Sequence, residues 1–378
     1  MGNTIVDDNT GSLFQVSIRG MLAPIVPFLD DDTVSEVIVN GHTEVYVERN
    51  GRLEKTDVRF PDEESWQAAV RNIAQYVGKR LVPENLSVEA RLPDGSRVHI
   101  IQSPAARKGT CVAIRKFSKH SLTVQKLIEF GSLTEESAEF LGICVALAKN
   151  IIISGGTGSG KTTLLNCLSS MIPEGERILV LEDSSELQLQ REHVVPLEAQ
   201  APDSHGRGGI SIRDLFRGSL RMRPDRIVVG ECRGGEAIDM IQAMNSGHSG
   251  SMSTAHANSP IDSLTRLEVM CLMGNIDVPL SALRGQICNA VDLVVQATRF
   301  HDGVRRVTHI SEVLEPDDDG KTRVSDIFSV KPHPDGESKG KFVWTGNTPT
   351  FAGQIANSDY SELVNCTSSI WQPISASV

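Results

Sequence analysis

The amino-acid sequence predicts an α/β protein of two domains, a small N-terminal α+β domain and a larger domain with a mostly parallel sheet. The first domain is indicated by strand patterns on both sides of one amphipathic helix pattern before residue 118. The second is indicated by strand and helix patterns that alternate from Ile151 to about Val313. A chain of 378 residues, 39% hydrophobic and 22% charged, has the composition of a soluble globular protein with ample material for its cores.

The N-terminal domain, predicted over residues 21–118, begins with a β-hairpin. We expect the polar tail at 1–20 to be disordered. The apolar triplets at 37–39 and 45–47 flank an Asn-Gly turn, which is a hairpin signal. A helix is predicted over 63–77, and its apolar face, with spacings of four, three and four, is formed by Trp66, Val70, Ile73 and Val77. Two more strands are predicted, at 97–101 and 110–116.

The second domain is predicted over residues 132–378, after a linker at 119–131. Its alternating strands and helices are typical of a parallel sheet that helices cover on both faces. Two helix starts carry capping signals: Ser211 has Asp214 three residues later, and Ser259 is followed by a proline. The C-terminal segment is rich in Gly, Pro, Ser and Asn, and we expect parts of it to dock through Phe342, Trp344 and Trp371.

Residues 155–162 fill every position of the phosphate-loop pattern G-x-x-x-x-G-K-[ST]. A strand pattern at 151–153 precedes the loop and a helix pattern at 163–168 follows it, which favours nucleotide binding over an ordinary glycine-rich turn. In such a loop, backbone N–H groups and a helix N-terminus converge on phosphate oxygens. The lysine reaches the β- and γ-phosphates, and the threonine hydroxyl ligates Mg²⁺. We therefore predict nucleoside triphosphate binding through Gly155, Gly156, Thr157, Gly158, Ser159, Gly160, Lys161, Thr162 and Thr163.

A pair of carboxylates follows the strand pattern at 178–181. Glu182 and Asp183 stand at the carboxyl end of that strand, where doubly wound sheets bind ligands. Together with Thr162, the pair is predicted to hold Mg²⁺ directly or through water. The alternative is that the pair caps a helix, since Ser184, Ser185 and Glu186 follow.

Three further side chains are candidates for hydrolytic chemistry. Glu231 follows the strand pattern at 227–229 and one glycine, and it is suited to polarise an attacking water; the alternative is a solvated loop glutamate. Arg233 either neutralises developing negative charge or pairs with a neighbouring carboxylate. His256 lies among small residues, and its pattern leaves two roles open, sensing the γ-phosphate or holding the loop.

The charge and the cysteines restrict the class of protein. A net charge of −11 argues against broad nucleic-acid binding, because neutralising phosphates needs a concentrated basic surface. The seven scattered cysteines form no C-x-x-C pair, which fits a reducing compartment. The N-terminus lacks a secretory apolar region, and no apolar run approaches the ~20 residues of a membrane-spanning helix. We expect a cytoplasmic protein.

Together these motifs resemble those of one family, the secretion ATPases of type II and type IV systems, and in particular its CpaF/TadA branch, which powers Tad (Flp-type) pili. The four motifs of the second domain are similar to the family's Walker A, acidic Asp box, Walker B and His box, at 153–163, 181–187, 220–236 and 254–259. In the first domain, residues 91–98 and 114–117 also match the family.

The resemblance implies a PAS-like N-terminal domain joined flexibly to a RecA-like ATPase domain, in a ring of six subunits with ATP and Mg²⁺ between domains. It makes Arg97 and Arg115, which taken alone are surface residues, candidate arginine fingers for the γ-phosphate. The predicted catalytic set is Glu231, Glu182, Arg97, Arg115, Arg233 and His256. ATP hydrolysis would drive an inner-membrane platform protein that adds or removes pilin subunits, with the ATPase on the cytoplasmic face of the membrane and no nucleic acid as partner.

Three alternatives stay open. Within the same family, the chain could instead serve a conjugative type IV secretion system. A RecA-fold helicase or packaging enzyme is disfavoured by the acidic charge and by the lack of strips of aromatic and basic residues. A subunit that uses ATP only to hold a ring together is disfavoured by the presence of Lys161, Glu182 and Glu231.

Overall fold

The computed structural model describes residues 18–49, 51–76, 79–82, 85–92, 94–117, 122–202, 206–331, 340–356 and 358–372. The chain divides into two compact units, Met1–His120 and Ser121–Val378. Among the helices in the described ranges, none has both the length and the apolar character needed to cross a membrane.

The first unit is an antiparallel sheet with one long helix. Its elements are α1 (Val26–Asp30), β1 (Val34–Asn40), β2 (Glu44–Arg49), β3 (Arg52–Lys55), α2 (Glu63–Tyr76), β4 (Ser87–Arg91), β5 (Arg97–Ile101) and β6 (Cys111–Arg115). The six strands lie in the order β3-β2-β1-β6-β5-β4. The apolar face of α2 is buried with the inner residues of the sheet, and the Trp66 indole N–H donates to the carbonyl oxygen of Thr110 at 2.8 Å.

The predicted hairpin and helix of this unit are confirmed. β1 and β2 pair with Val37 opposite Val47, and α2 buries Trp66, Val70 and Ile73 of the predicted apolar face, whereas Val77 lies outside the described residues. Strand β4 is absent from the sequence-based prediction, although it pairs with β5 along its whole length. Of the predicted disordered tail at 1–20, residues 1–17 lie outside the described residues, but Ile18 is buried in the core. Ordered structure therefore begins earlier than predicted.

The second unit contains the remaining elements around one large sheet. They are α3 (Val124–Glu129), α4 (Glu135–Ala146), β7 (Ile151–Gly155), α5 (Lys161–Ser169), β8 (Ile178–Glu182), β9 (Val194–Glu198), α6 (Ile212–Ser219), β10 (Arg226–Val229), α7 (Glu236–Asn245), β11 (Met252–Ala255), α8 (Pro260–Leu272), α9 (Leu280–Ala290), β12 (Leu293–Arg299), β13 (Arg305–Leu314), β14 (Arg323–Lys331), β15 (Lys341–Trp344), α10 (Gly353–Ala356) and a 3₁₀ turn (Ser361–Leu363). The nine strands lie in the order β15-β14-β13-β12-β7-β11-β10-β8-β9. The strands from β12 to β9 are parallel, and β13, β14 and β15 add an antiparallel extension. The predicted fold class is confirmed.

Helices cover both faces of this sheet. Ile151 and Ile153 of β7 belong to one buried cluster, together with residues of α4 and α5, whereas Ile152 belongs to the cluster formed with α7 and α8. Because β7 is buried on both sides, its apolar run needs no alternation with polar residues. The C-terminal segment joins the first of these clusters through Trp371, which stacks on Phe140 with ring centroids 5.1 Å apart.

Helix α3 lies inside the stretch predicted as a linker, 119–131. Its N-cap, Thr123, accepts a hydrogen bond from the backbone N–H of Lys126, and Leu127 is buried in the same cluster as α4. The part of the predicted linker that forms α3 therefore packs as an element of the second unit.

Candidate nucleotide-binding and hydrolysis site

The phosphate loop lies at the carboxyl end of β7. The strand ends at Gly155, and α5 begins at Lys161 with Gly160 as its N-cap. β7 is a central strand, flanked by β11 on one side and β12 on the other. The backbone N–H groups at the start of α5 are therefore at the carboxyl edge of the sheet, the place at which folds of this kind bind phosphate groups.

Three glycines of the loop meet steric or conformational needs. A Cβ at Gly155 would lie 2.4 Å from the carbonyl oxygen of Ala297 and 2.4 Å from Ser159 Oγ. Gly158 and Gly160 have φ angles of 70° and 92°, a region that residues with a side chain rarely adopt. The loop conformation therefore depends on glycine at each of these positions.

Lys161 is the buried cation of the loop, and its side chain turns back over it. Its Nζ donates to the carbonyl oxygen of Gly156 at 3.0 Å and lies 3.5 Å from Nδ1 of His256. Thr162 and Thr163 follow in the first turn of α5 and are partly exposed. A lysine held in this position is suited to neutralise the charge of a bound phosphate.

Glu182 ends β8 and packs against the neighbouring strand end at Gly230. A Cβ at Gly230 would lie 2.9 Å from Glu182 Cγ, so the small residue before Glu231 makes room for this side chain. Glu182 Oε1 accepts hydrogen bonds from the backbone N–H groups of Glu186 and Leu187, at 2.8 and 3.0 Å. Burial raises the pKa of the Glu182 carboxyl to about 7. Residues 183–193, all of them described, form no helix, so the helix-capping alternative is wrong.

The predicted metal ligands have the chemistry that Mg²⁺ requires. Mg²⁺ takes oxygen ligands, usually one or two carboxylates together with phosphate oxygens and water. Glu182 is a buried carboxylate whose ionised form a cation would stabilise, and Asp183 is a half-exposed carboxylate beside it. Among the described residues no group of three His, Cys, Asp or Glu side chains could hold a metal alone. Mg²⁺ held by Thr162 and these two carboxylates would therefore depend on phosphate and water for its other ligands.

Glu231 follows β10 and lies between His256 and Arg233. Its Oε2 accepts a hydrogen bond from Arg233 Nη2 at 2.6 Å, and its Oε1 lies 2.7 Å from Nε2 of His256. The second contact is as short as a hydrogen bond but lacks the angles of one, and the buried Oε1 accepts no hydrogen bond of regular geometry from the residues that the structure describes. With a side chain only 20% exposed, Glu231 is a fixed group of the sheet edge rather than a solvated loop glutamate.

Arg233 pairs with two carboxylates, which is one of the two roles open from the sequence. Besides its bond to Glu231, its Nη1 lies 3.6 Å from Asp183 Oδ2. The hydrogen bond to Glu231 raises the pKa of the Arg233 guanidinium. The side chain is 60% exposed, so screening by water limits what these pairs add to stability. In this conformation Arg233 neutralises acidic groups that follow two adjacent strands, β8 and β10.

His256 connects the phosphate loop to Glu231. It comes directly after β11, and β11 lies between β7 and β10 in the sheet. Burial lowers the pKa of His256 from its ordinary value of 6.5, and the charge of Lys161 lowers it further, so the imidazole is neutral at pH 7. Its contacts with Lys161 on one side and Glu231 on the other suit both predicted roles, sensing the γ-phosphate and holding the loop.

Two arginines at the loop are missing from the sequence-based prediction. Arg305, at the start of β13, donates from Nε to the carbonyl oxygen of Gly158 at 2.8 Å. Arg299, at the end of β12, is so close that a Cβ on Gly158 would lie 3.2 Å from its Nη1. Both come from the β12–β13 hairpin, which meets the loop because Ala297 pairs with Gly155. Only the order of the strands would have revealed them.

Arg97 and Arg115 belong to the first unit, where they face each other across β5 and β6. Arg91 of β4 lies opposite Arg97, and Glu36 of β1 lies opposite Arg115, so the four residues form one row across the sheet. The row therefore consists of three arginines and one carboxylate. The catalytic roles of these residues, and of those in the second unit, stay predictions.

The chain belongs to the type II/IV secretion system protein family, whose model matches residues 20–326. This membership confirms the predicted ATPase class.

Among its relatives, the type IV secretion system protein VirB11 of Brucella suis is 34% identical over 340 residues, which cover 82% of this chain and 93% of the relative. The type IV secretion system protein PtlH of Bordetella pertussis is 34% identical over 320 residues, 77% of this chain and 94% of the relative. A putative conjugal transfer protein of Mycobacterium tuberculosis is 33% identical over 291 residues, 75% and 82% respectively.

Solved structures show the same fold at low sequence identity. The Legionella pneumophila ATPase DotB is 18% identical with a TM-score of 0.55, covering 94% of this chain and 86% of that one. The pilus retraction motor PilT, solved with bound ADP, is 18% identical with a TM-score of 0.53, covering 82% and 81%. At this identity the likeness establishes the arrangement of the chain alone.

Proposed function

We propose that the protein is a Mg²⁺-dependent motor ATPase in which Glu231 polarises the attacking water. The observation that carries this proposal is the position of the Glu231 carboxylate: its Oε1 lies 2.7 Å from His256 Nε2, and Nδ1 of the same ring lies 3.5 Å from Lys161 Nζ of the phosphate loop. A carboxylate held beside the phosphate loop is suited to accept a proton from the attacking water, as a general base does. Lys161 lies in the same small group, since His256 contacts both side chains.

The other predicted residues take complementary tasks. Residues 155–163 bind the phosphates of ATP, and Lys161 neutralises their charge. Thr162, Glu182 and Asp183 hold Mg²⁺, which when bound supplies further neutralisation of the phosphates. Arg97 and Arg115 stabilise the negative charge that develops on the γ-phosphate. Arg233 leaves its carboxylate partners and binds that charge as well. His256, which contacts both Lys161 and Glu231, changes its contact with Glu231 when phosphate binds in the loop.

Steady-state ATP turnover of two single variants tests the assignment. Lys161→Ala should abolish nucleotide binding, because the phosphates lose their cation. Glu231→Gln should bind ATP normally and lose turnover by roughly 10²–10⁴-fold, the usual cost of a missing general base. Glu362→Gln, at an exposed carboxylate of the C-terminal 3₁₀ turn, is the control. Equal turnover by the wild type and Glu231→Gln would exclude Glu231 as the base.

For the biological task, we propose that a ring of six subunits powers a Tad-type pilus. The motifs at 91–98, 114–117 and 153–163 support this branch of the family. In this proposal the ring acts at the cytoplasmic face of the inner membrane, where it is held by platform proteins. Native mass spectrometry with ADP and with a non-hydrolysable ATP analogue tests the ring; a monomer at all concentrations would contradict it.

A second candidate, a type IV secretion ATPase, is favoured by the names of the relatives that this chain covers well, VirB11 and PtlH. Deletion of the gene in its host, complemented with wild type or with Lys161→Ala, separates the two tasks. Loss of surface pili that only the wild type restores supports the Tad proposal. Intact pili together with loss of protein or DNA transfer to recipient cells support the second candidate.

Hydrolysis should not depend on nucleic acid. A chain of net charge −11 has little to attract a polyanion, because binding to phosphates is an electrostatic effect. ATP turnover should therefore be the same with and without single- or double-stranded DNA at physiological salt. Strong stimulation by DNA would move the helicase alternative ahead of both secretion functions.

A further inference from the structure

The loop that carries Glu231 and Arg233 is tied to the sheet in its first half. The backbone N–H of Gly230 donates to the carbonyl oxygen of Leu181 at 2.8 Å. Thr254 of β11 binds the loop twice, through its hydroxyl to the Gly230 carbonyl oxygen at 2.8 Å and through its own carbonyl oxygen to the Cys232 N–H at 2.9 Å. Residues on both sides of Glu231 are therefore fixed to neighbouring strands.

The second half of the loop is held by a different group, the carboxylate of Glu236. This is the first residue of α7, and its Oε1 accepts hydrogen bonds from the backbone N–H groups of Arg233 at 2.6 Å and Gly234 at 2.8 Å. Its side chain is buried, so water does not compete for these bonds. The N-cap of α7 is Gly235, which has no side chain to bind the free N–H groups at the helix start. Glu236 binds the two N–H groups that precede this helix.

The glycines of the loop make room for this carboxylate. A Cβ at Gly234 would lie 3.3 Å from Glu236 Oε2, tighter than an ordinary contact. A Cβ at Gly235 would lie 2.9 Å from Gly274 Cα, where the loop crosses the chain just after α8. The backbone of residues 234–235 thus has little freedom to move once the carboxylate is in place.

We propose that Glu236 is a positioning residue for hydrolysis: by holding the backbone after Glu231, its carboxylate sets where the Glu231 and Arg233 side chains point. The inference rests on the proposed role of Glu231. Arg233 is held at both ends, because Glu236 binds its backbone N–H and Glu231 binds its guanidinium. A shift of the loop would therefore move the contact between Arg233 and Glu231 as well as the Glu231 carboxylate itself. Displacement of a reacting group by ~1 Å can cost about 10²-fold in rate.

Three variants separate positioning from a general effect on folding. Glu236→Ala removes the acceptor, whereas Glu236→Gln keeps a carbonyl oxygen that can accept both N–H groups. Gly234→Ala crowds the carboxylate without changing it, which covers the case in which Glu236→Ala fails to fold. Asp239→Asn is the matched control, because Asp239 is a partly buried carboxylate one turn further along α7 that pairs with Arg213 and Arg217 instead of the loop. All are made in the full chain.

The measurements are ATP turnover, binding of a fluorescently labelled ADP, and the midpoint of thermal unfolding. We expect Glu236→Ala to lower kcat at least 10-fold, on the scale of a misplaced group (about 10²-fold per ~1 Å), with binding of labelled ADP changed less than about 2-fold. Glu236→Gln should stay within about 3-fold of wild type, since the acceptor is kept, and Gly234→Ala should fall between the two. Asp239→Asn should leave kcat unchanged whatever it does to the unfolding midpoint.

A second measurement tests whether Glu236 acts through Glu231. In a Glu231→Gln background, Glu236→Ala should cause a clearly smaller loss of turnover than in wild type, because of the two groups that it positions only Arg233 remains. An undiminished additional loss in that background, or equal turnover by Glu236→Ala and wild type, would overturn the inference. These results differ from failure of the proposed function itself, which would appear as full turnover by Glu231→Gln alone.

Discussion

His256 Nε2 lies 2.7 Å from Glu231 Oε1, so the residue directly after β11 contacts the second residue after β10. The other nitrogen of the same ring, Nδ1, is 3.5 Å from the Lys161 ammonium. One imidazole thus spans the distance from the phosphate loop to the candidate base. A neutral ring in that place can respond to phosphate on one side and change its contact with Glu231 on the other.

Replacing His256 should uncouple the two sides of the site. We expect His256→Ala to lower kcat by about 10- to 100-fold, somewhat less than the ~10²–10³-fold cost of removing a preorganised donor, because the base itself remains. His256→Gln should retain more turnover, since its amide can contact Glu231. Steady-state ATP hydrolysis and titration with labelled ADP measure the two effects, with His301→Ala, at an exposed histidine, as the control. An unchanged kcat in His256→Ala would remove the residue from the mechanism.

The arginines of the first unit should affect turnover without lowering stability. The side chains of Arg97 and Arg115 are not buried, so replacing either one should change the unfolding midpoint only slightly. Turnover should nevertheless fall by roughly 10³-fold or more, the loss typical of a missing arginine in phosphoryl transfer. Arg52→Ala, at an exposed arginine of β3 in the same sheet, is the control. Full activity of Arg97→Ala and Arg115→Ala would show that neither acts on the nucleotide.

Arg305 should contribute to nucleotide affinity rather than to the hydrolytic step. Its Nε supports the carbonyl oxygen of Gly158, so its loss frees a loop whose N–H groups must converge on phosphate. We expect Arg305→Ala to weaken ADP binding by about 2- to 10-fold, the range of one net hydrogen bond, and to leave kcat within about 2-fold. Arg306→Ala is the neighbouring control, because its guanidinium lies over the Phe300 ring, 5.6 Å from the centroid. Calorimetric titration with ADP measures the affinities of Arg305→Ala and wild type. Equal affinities would refute the prediction.

Glu139 of α4 should make the attachment of the C-terminal segment pH-dependent. Burial alone would raise the pKa of its carboxyl, but hydrogen bonds from Thr367, Asn365 and Cys366 lower that pKa to about 2, from an ordinary value of 4.5. The folded state thus binds the proton more weakly than the unfolded state. Its stabilising contribution is complete above pH 4.5 and is lost as the pH falls toward 2.

The test compares Glu139→Gln with wild type by thermal unfolding between pH 6.5 and 3. At pH 6.5 the variant should melt about 2–4 °C lower, the shift expected for a net loss of one such contact in a domain of this size. The difference should narrow as the pH falls below 4.5, because wild type loses the same contribution. The unfolding midpoint of Glu136→Gln, at an exposed position of α4, should show the same dependence on pH as that of wild type. A constant gap between Glu139→Gln and wild type would contradict the assignment.

Local patterns were sufficient for the parts of the site that are contiguous in the chain. The phosphate loop is determined by a short contiguous segment, in which a strand precedes the loop and a helix follows it. Glu182 and Glu231 could be located because each comes at or just after the end of an apolar strand. The contact between His256 and Lys161 could not be predicted, because it depends on β11 lying beside β7, and strand order is a property of the whole sheet. The same reason hid Arg299 and Arg305, which reach the loop only through the antiparallel hairpin beyond β12.

The order β7-β11-β10-β8 has a mechanical consequence. Lys161, His256, Glu231 and Glu182 follow or end four neighbouring strands, and continuous backbone ladders hold those strands in register. Such a frame is stiff, since shifting one strand relative to the next means breaking a whole ladder at once. Distances between these four groups should accordingly change little during a catalytic cycle, apart from rotations of the side chains. Any large displacement during turnover must then arise in segments outside this frame. The ends of the four strands would serve as the rigid support relative to which those segments move.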